Sequence, residues 1–353
     1  LTEDTGLTEN DSVQAPPRKR LFRQWGRATR LSALLIALAL VVGAGLFFWW
    51  QQVPSENDLK VQAGLTGKAQ LLVGVLDDIP GIGYQDLKSG VYSGFDIDIA
   101  YLVAGGLGFR PEQVRFLTVR NEDRGRMSVK DGQSFSTADL VVAAFSIDRP
   151  PDEHVNFSAP YLQTEQSVLT LKGHEPVEDL RDLAGKQVCT LTTSTSSTPA
   201  ETAGALVTGK KAKISDCVRD LRDGKYDAVT TDAAILAGFA HAEPNIFEHH
   251  NVGLVANERY GINTGDNAAL RQLVNLALYR SRNDPKDTRW EQAYEHDLNS
   301  EQPESRQQPV ASNKQPTVDE VRIRQWPWER LEGIIHAPMT ADRRRRRAAS
   351  SGR

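Results

Sequence analysis

From Leu31 to Trp50 the chain reads LSALLIALALVVGAGLFFWW, twenty positions without a charge. As a helix this stretch has the length of a bilayer's hydrocarbon core, roughly 30 Å. Arg18, Lys19, Arg20, Arg23, Arg27 and Arg30 precede it with no acid among them, and Trp49 and Trp50 close it where an aromatic belt stands. The pattern predicts a transmembrane helix over 31–50, with residues 1–30 a basic segment kept in the cytoplasm and the rest exported. The expected location is therefore the cell membrane, single-pass, with the folded part extracytoplasmic. A cleaved signal peptide is the alternative. The length of the apolar run and the lack of a small-x-small site in QQVPSEN, which follows it, argue against that. Leu1 in place of Met is what a fragment or a misassigned start codon would leave.

Residues 51–68 are polar with Pro and Gly and read as a linker. Beyond them the periodicity changes. Short apolar or β-branched runs at 71–76, 113–119, 138–145, 167–172, 186–191 and 226–232 have the length and composition of strands. Helical patterns fill 96–107, 179–184, 197–208, 215–223, 233–242, 267–282 and 288–298. Strands alternating with helices predict an α/β fold with largely parallel sheets. From 299 to 353 the chain is rich in Pro, Gln, Ser and charge, with Trp326, Trp328 and the run Arg343 to Arg347. It reads as a disordered basic tail. The arginine run is a solvated end or an attachment to an anionic surface.

Charge sharpens the picture. The first fifty residues carry six basic and four acidic side chains, and residues 299–353 carry eleven and seven, so the part between holds the whole excess of acid against a net charge of -4. Such a middle repels phosphate backbones, which excludes nucleic acid as a partner of the folded part. Two cysteines exclude a disulfide-dense scaffold or a zinc ribbon. Cys189 ends a predicted strand and Cys217 opens a predicted helix, and in an exported domain the pair is expected as a disulfide, two buried thiols being the alternative. His241, His249 and His250 cluster, yet H-x7-H-H is not a ligand spacing, and no phosphate loop, H-E-x-x-H or G-x-S-x-G occurs. No metal and no cofactor are expected.

Four segments place polar side chains at strand ends and helix starts, where an α/β fold holds its ligand: GVLDDIPGIG (74–83), SGFDIDIA (93–100), AFSIDRPPDEHVNFSAPYL (145–162), and CTLTTSTSS (189–197) with YDAVTTDAAIL (226–236). Together and in this order they resemble the bacterial extracellular solute-binding protein family 3, the receptors of polar amino acid ABC transporters, and most of all the glutamate and glutamine receptors of actinobacteria. The resemblance covers about residues 70–300.

That resemblance implies a periplasmic-binding-protein-like (type II) fold. Its lobe 1 is 69–166 with 256–298, its lobe 2 is 167–255, and two hinge strands join them. It also implies a ligand-binding set. Asp232 takes the ammonium, Phe95 packs over the ligand, and Ser146 and the Ala144 carbonyl make polar contacts. Ser194 and Thr195 offer backbone N–H groups to the carboxylate, while Asp78 and Arg124 stand where the side chain is selected. Asp96 and Asp98 look structural. Two positions depart from the family pattern: Pro151 stands where the carboxylate-binding arginine is usual, leaving Arg149 to reach for it, and Thr193 replaces a glycine. Taken singly, Asp232 reads as a helix N-cap, Phe95 as core and the Ser/Thr run as loop. Their joint order carries the binding reading.

The expected function is a solute-binding protein, not an enzyme, closing on a small amino acid ligand and read by an ABC permease or a membrane signalling protein. A ligand sensor with a degenerate site and a dehydratase-type enzyme on the same scaffold, with Glu153 or His154 as its acid or base, are the alternatives.

Overall fold

The computed structural model describes residues 21–51, 53–147, 155–252, 257–298 and 315–324. The chain divides into two compact units, Leu1–Pro54 with Trp326–Arg353, and Ser55–Gln325. In the first, helix α1 spans Leu21–Gln51. Its described apolar side chains lie open, from Val42 at 51% to Val41 at 69%. Among the described residues no helix is long and apolar enough to cross a membrane. Residues 1–20 lie outside the description.

The second unit begins earlier than the sequence suggested. Helix α2 (Glu56–Gln62) occupies the expected linker, started by a capping box in which Ser55 and Asp58 satisfy each other's backbone N–H. It buries Leu59. The chain then runs through β1 (Leu71–Val75), β2 (Asp78–Ile79), β3 (Gly83–Gln85), β4 (Tyr92–Ser93), α3 (Phe95–Leu107), β5 (Val114–Thr118), the hairpin β6 (Ser128–Asp131) and β7 (Ser134–Thr137), and β8 (Leu140–Val141). Strand β9 (Leu162–Leu171) leads into β10 (Gln187–Leu191), α4 (Ser197–Thr202), β11 (Leu206–Lys211), α5 (Ile214–Arg222), β12 (Ala228–Asp232), α6 (Ala233–Ala242) and β13 (Phe247–Asn251). Strand β14 (Asn257–Tyr260), α7 (Ala268–Asn283) and α8 (Arg289–Ala293) complete it.

Lobe 1 is built on the parallel sheet β5-β1-β8, with α3 packed against α7 and α8. Lobe 2 is built on the order β11-β10-β12-β9-β13, parallel around β10 and antiparallel around β9. Strand β9 carries the chain from one lobe to the other. Its first half pairs with β14, Leu162 opposite Tyr260 and Glu165 opposite Asn257, so outgoing and returning chain cross side by side. Its second half pairs with β12, which sets Asp232 opposite Gln166.

Three expectations change. The helix predicted over 197–208 stops at Thr202, because Gly204 turns the chain at φ 93° and the β-branched run that follows joins the sheet as β11. The expected linker is folded onto α7, where Arg280 Nη2 donates to Glu56 Oε2 at 2.7 Å and Asn267 Nδ2 to the Ala63 carbonyl at 3.1 Å. Part of the expected disordered tail is ordered. Val318 is buried, Gln315 donates to the Leu278 carbonyl at 3.3 Å, and Arg324 pairs with Asp58 at 3.1 Å. Polar composition hid the few apolar anchors in these segments, Leu59 and Val318. Residues 299–314 and 325–353, with the arginine run, lie outside the description.

Candidate functional site

A cleft between the lobes has an empty volume of about 360 Å³, part of it open to solvent. Lobe 1 lines it with Leu76, Ile79, Asn121, Arg124, Ala144 and Ser146. Lobe 2 adds Leu191, Thr193, Ser194, Thr195, Thr231, Asp232 and Ile235.

The lobe 1 wall is built from an inner polar network. Ala144 has φ 43°, in the left-handed region uncommon for a residue with a Cβ. Two buried side chains hold it there. Asp96 Oδ2 accepts from the Ala144 N–H at 2.7 Å, and its Oδ1 accepts from the Tyr161 hydroxyl at 2.7 Å. On the other side, Arg124 Nη1 donates to the carbonyls of Ala143 and Ala144 at 3.0 and 2.9 Å, and Nε donates to the Asn121 carbonyl at 3.2 Å. The guanidinium carbon lies 4.5 Å from the centroid of the Phe145 ring, a cation–π distance. Asn263 ties the Arg124 and Gly125 carbonyls down at 2.9 and 3.1 Å. Burial raises Asp96 to about 7 against the pull of Tyr161, the Ala144 N–H and Arg124.

The lobe 2 wall presents an acid at the end of a strand. Asp232 closes β12 and precedes α6, with no side-chain cap bond to that helix. The Tyr260 hydroxyl donates to its Oδ2. Burial raises Asp232 to about 7, the neighbouring Glu258 carboxylate adds to the rise, and Tyr260 and Arg124 oppose it. Glu258, 3% exposed, accepts from the Ser146 hydroxyl. The Ser/Thr turn before α4 is held by Thr192 N–H to the Lys211 carbonyl at 2.8 Å, Ser194 N–H to the Leu191 carbonyl at 3.2 Å, Ser196 N–H to Ser194 Oγ at 3.2 Å and Gln166 Nε2 to the Ser196 carbonyl at 3.1 Å.

Contacts across the cleft hold the lobes together at one edge. Lys213 Nζ pairs with Asp77 at 2.5 Å, Ser215 donates to Asp78 Oδ2 from its N–H at 3.2 Å and its hydroxyl at 2.8 Å, and Asn121 Nδ2 donates to the Ala212 carbonyl at 2.9 Å. Arg124 Nη2 faces Thr193 Oγ1 at 3.5 Å.

The structure thus brings Arg124, Ala144, Ser146, Ser194, Thr195 and Asp232 to one cleft. It does not bring Phe95 there. Gly94, at φ 116° and with no room for a Cβ against the Ile82 carbonyl, turns the chain so that Phe95 enters the core between Tyr161 and Trp290, ring centroids 6.3 and 5.7 Å away. Asp78 is likewise spent on Ser215 across the cleft edge and does not line the cavity. The Ala144 carbonyl faces Arg124. Asp96 is structural, as its residue pattern suggested. Arg149, Pro151, Glu153 and His154 lie outside the described residues.

Sequence reading missed Asn121, Glu258 and Tyr260 and saw Thr193 only as a departure. Glu258 and Tyr260 stand two apart on β14 and share a face, an alternation that points them at the strand crossing. Neighbouring His249 and His250 on β13 meet Ser167 and Thr170, each at 2.8 Å, and successive strand residues face opposite ways. Among the described residues no cluster of ligand-type side chains could hold a metal. Cys189 and Cys217 form a disulfide, their Cα atoms 5.6 Å apart.

Two α/β lobes joined by a pair of crossing strands, with an aliphatic and polar cleft between them holding one guanidinium and one carboxylate, define a two-lobed solute-binding protein. The sequence agrees. Residues 71–296 match the model of bacterial extracellular solute-binding proteins, family 3, and the chain belongs to that family. It is 31% identical over 276 residues to the glutamate-binding protein GluB of Corynebacterium efficiens, covering 74% of this chain and 87% of that one. To the ABC transporter glutamine-binding protein GlnH of Bacillus subtilis it is 28% identical over 257 residues, 71% of this chain and 90% of that one. Among solved structures, an ancestral arginine-binding protein bound to glutamine superposes with a TM-score of 0.56 at 29% identity, covering 65% of this chain and 98% of that one.

Proposed function

We propose that this chain is a membrane-tethered extracytoplasmic receptor that closes two lobes on an amino acid and presents it to an ABC permease, with no chemical change to the ligand. One observation carries the reading: Arg124 and Asp232 line the same cleft from opposite walls. A zwitterion needs a cation for its carboxylate and an anion for its ammonium, because a charge closed into a cleft without a partner is costly. Here Arg124 takes the carboxylate and Asp232 the ammonium, with Ser194 and Thr195 beside the carboxylate. The relatives named for binding glutamate and glutamine support the ligand class. Paired strands at the lobe crossing are suited to a bending hinge.

The tether is the uncharged run 31–50 of the sequence, whose twenty residues with basic residues before them have the length of a bilayer crossing from the cytoplasm. A thermal-shift and calorimetric screen of the detergent-solubilised chain against the twenty amino acids tests the binding reading, since a ligand stabilises by RT ln(1 + [L]/Kd). At least one ligand is expected to raise the melting temperature in the wild type and to lose that effect in Asp232→Asn. Resistance of the chain to alkaline carbonate extraction tests the tether separately.

A further inference from the structure

We propose that the cleft selects amino acids with an uncharged carboxamide side chain over their acidic counterparts, using the buried side-chain oxygen of Asn121 as the reader and Glu258 as the repelling charge. This rests on the reading of the site as an amino acid receptor.

Asn121 starts a short 3-10 turn in lobe 1 and is 7% exposed. Its Nδ2 donates across the cleft to the Ala212 carbonyl at 2.9 Å. Turning the amide over would set Oδ1 against that carbonyl, acceptor against acceptor, so the orientation is fixed. Oδ1 is then left buried, beside the cavity, with no hydrogen-bond partner among the described residues. A buried acceptor without a donor costs about 1–3 kcal/mol, and a ligand that supplies the donor recovers it. A carboxamide NH2 does so. A side-chain carboxylate has no proton to give and adds acceptor to acceptor.

The charges point the same way. Among the described residues lining the cleft, Arg124 is the one cation and Asp232 the one anion, and the zwitterion's own carboxylate and ammonium engage both. Behind them sits Glu258, a second buried carboxylate joined to Ser146. A ligand carboxylate on the side chain would bring further negative charge into a cleft already holding two buried acids, with no cation remaining for it among the described lining residues. A cationic side chain fares little better. The nearby acids Asp77 and Asp78 are engaged by Lys213 and Ser215, and the rest of the lining is aliphatic or neutral: Leu76, Ile79, Leu191, Ile235 and Thr231. A neutral side chain with a terminal donor satisfies both constraints.

The test is calorimetric titration of the full chain in detergent at pH 7.5 with L-glutamine, L-asparagine, L-glutamate, L-aspartate and L-arginine. The tighter-binding amide is expected to bind about tenfold or more tightly than its acid, the scale on which a site built to hydrogen-bond an NH rejects an analogue without it. Asn121→Leu is expected to pull that ratio toward one by weakening the amide. Glu258→Gln is expected to pull it the same way by strengthening the acid. Melting curves of the unliganded variants check that each folds. Glutamate binding as tightly as glutamine, arginine binding more tightly than either amide, or a ratio unmoved in both folded variants overturns the selection while leaving an amino acid receptor standing. Failure of every amino acid to bind the wild type overturns the receptor reading and the selection with it.

Discussion

The two walls of the cleft are built in opposite ways. Lobe 1 prepares its wall before any ligand arrives: Asp96, Tyr161, Asn263 and the Arg124 guanidinium pin the chain around Ala144 with buried hydrogen bonds, and the Arg124 side chain is itself gripped by three carbonyls. Lobe 2 offers a Ser/Thr turn held chiefly through its backbone and one acid, Asp232, backed by Tyr260 from the returning strand. Preorganisation of the Arg124 wall lowers the ordering cost of binding. The lesson is a division of labour in which one lobe holds the guanidinium through side-chain bonds to its backbone and the other holds the carboxylate at a strand end.

The strongest way to break this arrangement is to remove the charge on the lobe 2 wall. Asp232→Ala leaves a ligand ammonium closed into the cleft without its anion, a loss of about 3–5 kcal/mol for a buried pair, and calorimetry is expected to show affinity down by more than about a hundredfold. Because Asp232→Ala also removes the acceptor of the buried Tyr260 hydroxyl, melting curves of the unliganded variant check that it still folds. A variant that binds within tenfold of the wild type would assign the ammonium to another group.

Next in size is the staple that only lobe 2 possesses. Cys189–Cys217 ties β10 to α5 across a sequence separation of 28. Closing a loop of that size stabilises by about 3–4 kcal/mol in the chain-entropy account. Reduction, or a Cys189→Ser and Cys217→Ser double variant, is expected to lower the denaturation midpoint of lobe 2 amides in hydrogen exchange and to leave lobe 1 amides protected. Equal loss of protection in both lobes would show that they unfold as one.

How far the sequence displayed all this depends on whether a residue's partners are local. Helices α3 and α6 were legible as nearly unbroken apolar runs that start after a strand or turn, and α7 by its one-sided apolar pattern. Asp232 was placed in the cleft through the joint order of its segment with the other three; taken singly it reads as a helix N-cap. Phe95 was misplaced because its neighbours, Tyr161 and Trp290, come from 66 and 195 positions further along the chain, and nothing in SGFDIDIA tells a core ring from a cleft ring. Asp78 was misplaced for the same reason: Ser215 reaches it from the other lobe. Asn121 and Glu258 gave no motif at all. Their role exists only once Ala212 and Ser146 are folded against them. Leu59 and Val318 show the converse, single apolar anchors that fold segments whose composition reads as linker and tail.

Two of the buried acids, Asp96 behind the lobe 1 wall and Asp232 on the lobe 2 wall, separate under titration. Burial raises both Asp96 and Asp232 to about 7 from the ordinary aspartate value of 3.8, so the folded state holds protons that the unfolded chain releases. Their contribution to stability is therefore present at low pH and is lost as the pH rises from about 4 through about 7. Ligand affinity runs the other way. The ammonium needs the Asp232 carboxylate ionised, so affinity is expected to fall about tenfold per unit as the pH drops below about 7. Asp96→Asn is expected to flatten the pH dependence of the melting temperature and to leave the pH dependence of affinity as it was. Isothermal titration between pH 5.5 and 8.5 reads the two apart, and an affinity slope that vanishes in Asp96→Asn would place the titrating group on the wrong wall.

The smallest effect expected is at the cleft edge, and it decides what holds the lobes together. Lys213 and Asp77 are partly exposed, at 45% and 22% of their side chains. Exposed ion pairs are worth about 0.2–1 kcal/mol, so Lys213→Ala is expected to weaken ligand affinity by no more than about fivefold, and less in high salt. The loss should fall on the dissociation rate, since the pair forms only when the lobes meet. Removing the Asp78 contact as well, in Lys213→Ala with Ser215→Ala, adds a more buried hydrogen bond to the loss and should deepen it by about another fivefold. A single variant that costs more than about thirtyfold would reverse the division of labour, because closure would then depend on the edge and the Arg124 and Asp232 grip would follow from it.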